Sequence, residues 1–85
     1  MDSNKIKAPI EIQIEDLEKC TNNLLVKFKS DFENKNYRNL KTYYKVSNAL
    51  LNQADLIIDD IGNFKTLNTV AGKLYTIKLM AAYYL

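Results

Sequence analysis

A regular spacing of three and four residues between positions 37 and 61 most limits what this chain can fold into. Steps of three and four return to one side of an α-helix at every turn. Four further apolar residues, Tyr43, Val46, Leu50 and Ile57, widen this side to about half of the helix circumference. So wide an apolar side packs against two neighbours, so we predict residues 37–61 as the central helix of a bundle. The spaced positions are Tyr37, Leu40, Tyr44, Ser47, Leu51, Ala54, Ile58 and Ile61.

Similar apolar stripes precede and follow this segment, and they predict helices over about residues 10–33 and 64–84. Pro9 suits the first turn of the first helix, and polar residues 34–36 form a break after it. Gly62 and Asn63 form a second break, and such short connections make neighbouring helices antiparallel. We therefore predict one all-α domain over residues 1–85, an antiparallel up-down-up three-helix bundle with a short flexible or extended arm over residues 1–9.

The N-terminal region also allows a different interpretation. Ile6, Ala8, Ile10, Ile12 and Ile14 alternate with a period of two, as in a half-buried β-strand. A single strand has no partner within this chain and would form only by pairing with another molecule. Residues 5–14 are thus either strand or helix, and helix from about residue 10 is the favoured prediction.

Composition excludes most catalytic chemistry. The 85 residues contain no His and one Cys, which removes imidazole bases and Cys/His zinc sites. Asp55 and Asp59 share a helix side, but acid–base work needs a buried carboxyl with a raised pKa. The sequence contains no phosphate-binding glycine loop. We predict no enzyme activity, no metal and no cofactor.

The sequence also indicates a compartment. The N-terminus lacks the apolar run of a secretory signal, and no stretch is long enough to span a bilayer. Cys20 has no partner in the chain, so a reduced, half-buried thiol is expected. We predict a cytoplasmic protein without membrane contact. Frequent Lys, Asn, Ile and Tyr, whose codons are AT-rich, suggest a low-GC bacterium, its phage or another mobile element as its source.

In the predicted bundle, charge separates along the long axis. Acidic residues gather at one end and basic residues at the other. A basic end could bind nucleic acid, with Tyr43 at the edge of the apolar side stacking on a base. This nucleic-acid-binding regulator is the alternative function, and its contacts would be Lys27, Lys29, Lys35, Arg38, Lys41, Tyr43 and Lys45.

The third helix carries surplus apolar residues opposite its core stripe. A helix that is apolar on nearly all sides must bury the surplus against something. The last turns could instead fray, or the N-terminal arm could cover them. We favour a non-catalytic interaction module, a small regulatory or adaptor protein that self-associates or docks on a protein partner. The predicted contact residues are Gly72, Tyr75, Thr76, Leu79, Met80 and Tyr83.

Overall fold

The computed structural model describes residues 9–61 and 65–85, which form three α-helices. These are α1 (Pro9–Glu33), α2 (Leu40–Ile61) and α3 (Lys65–Tyr84). Residues 9–14 are helical, so the alternative prediction of a strand is wrong for them. The arm was predicted over residues 1–9, but Pro9 belongs to α1, so its predicted end is wrong by one residue. The predictions for residues 1–8, for a break at Gly62 and Asn63 and for a helix start at position 64 lie outside the described residues.

The connection between α1 and α2 is longer than predicted. Lys35 takes a left-handed conformation with φ of 55°, and its N–H donates to the carbonyl of Phe32 at 3.1 Å. The N–H of Asn36 donates to the carbonyl of Asp31 at 2.8 Å, which completes a Schellman cap on α1. Polar residues 34–36 thus end the helix, as the sequence indicated.

The predicted start of α2 at position 37 is wrong, because α2 begins at Leu40. The side-chain oxygen of Asn36 accepts a hydrogen bond from the backbone N–H of Arg38 at 3.3 Å. Such a turn competes with helix formation for the same backbone groups. Tyr37, predicted to face the core, therefore lies before the helix and is 42% exposed.

Two apolar clusters show the direction of the helices. In the first cluster Leu17 of α1 packs with residues of α2 and α3, and in the second cluster Phe28 of α1 packs with other residues of α2 and α3. α1 and α3 pass from the first cluster to the second, whereas α2 passes from the second to the first. The structure is thus the predicted all-α up-down-up bundle. The first cluster contains Leu17, Leu51, Ala54, Leu67, Val70 and Leu74, and the second contains Phe28, Leu40, Tyr43, Ile77 and Ala81.

The central helix is α3, not α2 as predicted. α3 contacts both α1 and α2 more extensively than these two contact each other. Its inner residues, including Leu67, Leu74 and Ile77, are completely buried, and Ala81 lets the neighbours approach closely. The wide apolar side of α2 is only partly used, since Val46 remains 38% exposed. The molecule is elongated and flat, with extents of 51 × 26 × 17 Å.

Candidate interaction surfaces

The outward side of α3 carries exposed apolar side chains on successive turns. Tyr75 is 52% exposed, Leu79 55% and Tyr83 82%. Gly72 and Thr76 continue this side toward the start of the helix, and both are exposed. We call these five residues the α3 face. It contains five of the six predicted partner-binding residues, brought together as a helix of this register requires.

The sixth predicted residue, Met80, lies at the border of this face. It is half-buried and packs against the second apolar cluster. Its thioether chain therefore belongs partly to the core, although a flexible Met at a border still adapts to a partner.

Gly72 lies in open space. A Cβ atom built at this position meets no heavy atom within 4 Å. The hydroxyl of Thr76 donates to the carbonyl of Gly72 at 2.9 Å, a bond within the helix itself. The packing of the described residues thus gives no reason for a glycine, which is unfavourable in a helix interior.

The charged residues of α3 are all basic: Lys65, Lys73 and Lys78. The ammonium of Lys73 donates to the side-chain oxygen of Asn22 on α1 at 2.8 Å. The ammonium of Lys78 lies 5.9 Å from the ring centroids of both Tyr44 and Tyr75. These two lysines therefore connect the borders of the α3 face to α1 and α2.

A groove between α1 and α2 forms a second apolar surface, which the sequence did not reveal. It has a volume of about 420 Å³, and Leu17, Leu50 and Ile57 contribute to its lining. Leu56, outside every predicted stripe, is 69% exposed beside it. Cys20 also lines this groove and is exposed, so the predicted half-burial of its thiol is wrong.

The predicted basic residues are all exposed: Lys27, Lys29, Lys35, Arg38, Lys41 and Lys45. The prediction that the ring of Tyr43 is free to stack on a base is wrong. It is only 7% exposed, and the ring of Phe28 meets it edge-on with centroids 5.3 Å apart. A buried ring contacted in this way has no free surface for a nucleobase, so Tyr43 is removed from the set.

The hydroxyl of Tyr43 donates to a carboxylate oxygen of Asp31 at 2.5 Å. Desolvation by burial raises the pKa of Tyr43 to about 12, and the hydrogen bond to Asp31 and its negative charge act in the same direction. This pair joins α1 to α2 close to the second cluster. Its role is structural.

Exposed aromatic rings are nevertheless present at this end. The rings of Tyr37 and Tyr84 are stacked with centroids 5.8 Å apart, and Phe32 meets Tyr84 edge-on at 4.9 Å. Tyr83 meets Tyr84 edge-on at 5.0 Å. We call Phe32, Tyr37, Tyr83 and Tyr84 the terminal aromatic cluster. The apolar spacing predicted Tyr37 in the core. The one sequence signal for its place outside α2 is that it directly follows the polar residues 34–36.

Within residues 9–61 and 65–85, no group of three Cys, Asp or Glu side chains is arranged to hold a metal ion. In the same ranges, no helix has the length and apolarity needed to cross a bilayer.

Comparison with known proteins adds no assignment. The chain matches no protein-family model, and no significant match to a curated protein or a solved structure is found.

Proposed function

We propose that this protein is a non-catalytic protein–protein interaction module whose contact surface is the α3 face. One observation carries the proposal: Tyr75, Leu79 and Tyr83 expose more than half of their surface on one side of the central helix. The proposal includes a regulatory or adaptor role in the cytoplasm and a phage or mobile element as the source of the gene. The role and the compartment are supported by the small size and the lone cysteine, and the source by the frequent Lys, Asn, Ile and Tyr, whose codons are AT-rich.

Burial of the α3 face would be favourable. Covering the exposed half of one such side chain is worth about 1 kcal/mol, from roughly 25 cal/mol per Å² of apolar surface. Tyr and Met are also enriched where proteins bind each other, because an aromatic ring brings large area with few rotatable bonds. Leu79 lies at the middle of the exposed turns, and the residues that contribute most to binding cluster near the centre of an interface.

Site-specific photocrosslinking in the producing cell tests the proposal. A photoreactive amino acid replaces Leu79 in one variant and Leu56 of α2 in the control. Leu56 is a matched position, because it is a helical leucine that is 69% exposed and lies outside the α3 face. We expect covalent adducts with protein from position 79 and none from position 56. Equal adduct formation at both positions, or none at 79, contradicts the proposal.

A variant at Leu79 that stays folded separates the loss of contact surface from the loss of structure. Leu79→Gln removes apolar contact surface, but Leu79 is 55% exposed in the single chain. We expect its helicity to stay unchanged and its free energy of unfolding to change by less than about 0.5 kcal/mol under monomeric conditions. Circular dichroism and urea unfolding measure both quantities.

A second candidate function is the binding of single-stranded nucleic acid at the basic end. The terminal aromatic cluster favours it, because Tyr37 and Tyr84 are 42% and 47% exposed. Lys35 and Arg38 lie in the same connection as Tyr37. Aromatic rings beside basic side chains are the combination that holds bases and phosphates without sequence preference.

Fluorescence anisotropy with a labelled single-stranded oligonucleotide tests this second candidate. We expect an affinity that falls steeply with added salt, as counterion release requires. Reversal of charge at Arg38 and Lys41 should weaken binding at least tenfold. The control reverses Lys19 and Lys65, which are exposed toward the other end of the bundle. Equal losses in both double variants, or an affinity insensitive to salt, contradict the candidate.

A further inference from the structure

The α1 border of the α3 face changes charge along its length. Asn22 marks this border, because its side-chain oxygen accepts the hydrogen bond from Lys73 of α3. Glu18 lies one turn before Asn22 on the same side of α1, whereas Lys29 and Glu33 lie two and three turns after it on that side. The border is thus acidic toward the start of α3 and carries balanced charges toward its end.

The α2 border repeats this pattern. Tyr44 marks it, because Lys78 lies above the rings of both Tyr44 and Tyr75. Lys41 lies about one turn before Tyr44, and Asp55 lies three turns after it, on the same side of α2. Because α2 is antiparallel to α3, the aspartate lies toward the start of α3 and the lysine toward its end. Both borders are therefore more acidic toward the start of α3 than toward its end.

A surface with this polarity is complementary to itself in one orientation. If two α3 faces meet with their helices antiparallel, the acidic half of each border faces the balanced or basic half of the same border in the other copy. If the helices were parallel, the acidic halves of the borders would face each other, which is unfavourable. A two-fold axis produces the antiparallel pairing, and two-fold dimers are the most frequent symmetric assemblies.

We infer that the partner of the α3 face is a second copy of this chain, bound in antiparallel orientation about a two-fold axis. This inference rests on the proposed function and specifies its partner. The charge distribution along both borders and the exposed apolar residues between them make the surface complementary to a second copy of itself.

The shape of the α3 face agrees with this pairing. An axis between Tyr75 and Thr76 places Leu79 of each copy opposite Gly72 of the other copy. Gly72 is flat and open, since a Cβ atom there would meet nothing within 4 Å in the single chain. The bulkiest aliphatic residue of the face thus meets its smallest one, so that the two helices approach closely. The close approach of the two helices thus explains Gly72, which the packing of the single chain does not require.

Charge-exchanged variants test the inference in sedimentation equilibrium. In one variant Lys29 and Lys41 become Glu, which makes both borders acidic along their length. In the other, Glu18 and Asp55 become Lys, which makes them basic. Lys29, Lys41 and Asp55 are exposed and Glu18 is half-buried, so both variants should keep the helicity of the wild type.

We expect the wild-type chain to form dimers and each variant alone to associate at least tenfold more weakly. An equimolar mixture of the two variants should recover a mixed dimer, because acidic borders then meet basic ones. Wild-type chains that remain monomeric at the highest concentration reached overturn the inference. Variants that dimerise as well as the wild type overturn it too.

Disulfide trapping tests the orientation. With Cys20 replaced by Ser, Gly72→Cys and Leu79→Cys chains are oxidised separately and then as a mixture. In the antiparallel dimer positions 72 and 79 lie opposite each other, so that only the mixture should form covalent dimers rapidly. Rapid trapping of either variant alone shows parallel packing and overturns the inference.

The photocrosslinking at position 79 separates this inference from the proposed function. An adduct of twice the mass of the chain supports both. If the adduct contains a different protein and purified wild-type chains stay monomeric, the interaction module stands and the dimer is overturned. If no adduct forms at position 79, both are overturned.

Discussion

Lys35 takes a backbone conformation that side chains disfavour. Its φ of 55° closes the cap at the end of α1, a position where glycine is most common. The left-handed conformation crowds the Cβ atom of a residue other than glycine against its own backbone. The cap therefore forms at the expense of about 1 kcal/mol at this residue.

We predict that Lys35→Gly raises the free energy of unfolding by up to about 1 kcal/mol, because glycine adopts this conformation without strain. Lys35→Ala is the matched control. It removes the same charge but keeps the Cβ atom, and it should give no comparable gain. Urea unfolding followed by circular dichroism measures both. A larger gain from alanine than from glycine would show that charge, not backbone strain, limits this position.

Tyr43 is a residue whose ionisation is coupled to folding. Its pKa is about 12 in the fold and 10.0 as the ordinary value, so the unfolded chain releases the proton first as the pH rises. The stabilisation from this raised pKa is complete below pH 10 and is lost between pH 10 and pH 12.

We predict that Tyr43→Phe lowers the free energy of unfolding by roughly 1–2 kcal/mol at pH 8, because Asp31 loses its partner. The difference between wild type and variant should shrink as the pH approaches 12. Tyr83→Phe serves as the control, since Tyr83 is 82% exposed, and it should leave the pH dependence unchanged. Urea unfolding from pH 8 to pH 11.5 measures the difference, and a constant value over this range would refute the coupling.

At the scale of helices, periodicity identified all three elements and, in α2, the buried positions Leu40, Ser47, Leu51 and Ala54. It could not show which helix lies in the middle, because a wide apolar side is compatible with two neighbours or with one neighbour and a groove. Val46 and Leu56 of α2 are exposed, so α2 is the second kind of helix, with one close neighbour and a groove. Tyr37 shows a related limit: an aromatic residue in phase with a helix lies outside it when a side-chain turn starts just before.

The sequence predicted which residues lie on the exposed side of α3 better than it predicted contacts between the helices. Five of six proposed contact residues share one exposed side, since helical register alone decides this. The role of Tyr43 was not predictable, because the carboxylate that holds its hydroxyl is 12 residues away in the chain, on α1. Contacts between elements depend on tertiary geometry, which periodicity does not contain.

We predict that Gly72→Ala stabilises the isolated helix bundle. Alanine is favoured over glycine in a helix interior by about 1 kcal/mol, and nothing in the described fold obstructs the added methyl group. The change is made in the Leu79→Gln background, so that association does not contribute. A rise in the midpoint of thermal unfolding is expected. A fall would show that glycine serves the single chain and not a close contact with another.

For the whole molecule, elongation distinguishes possible assemblies. A single chain extends 51 Å along its longest axis and 17 Å along its shortest. Two chains paired side by side through α3 keep nearly the same length, whereas two chains joined end to end approach twice that length. The inferred dimer belongs to the first kind.

We predict a maximum dimension in small-angle X-ray scattering close to that of the single chain when the protein is dimeric. The Leu79→Gln variant provides the monomeric reference. Salt should weaken the dimer, since the charges along the borders are exposed and are screened over about 10 Å at 0.1 M. A dimer of doubled length, or one strengthened by salt, would point to contact through another surface, such as the α1–α2 groove.

The central position of α3 has a consequence for synthesis on the ribosome. α1 and α2 leave the exit tunnel first, but they contact each other less than either contacts α3. Two helices without their main apolar support are marginally stable in water. The nascent chain must therefore stay largely unfolded until residues 65–84 have emerged, so that a stalled or truncated product exposes its apolar residues to chaperones and proteases.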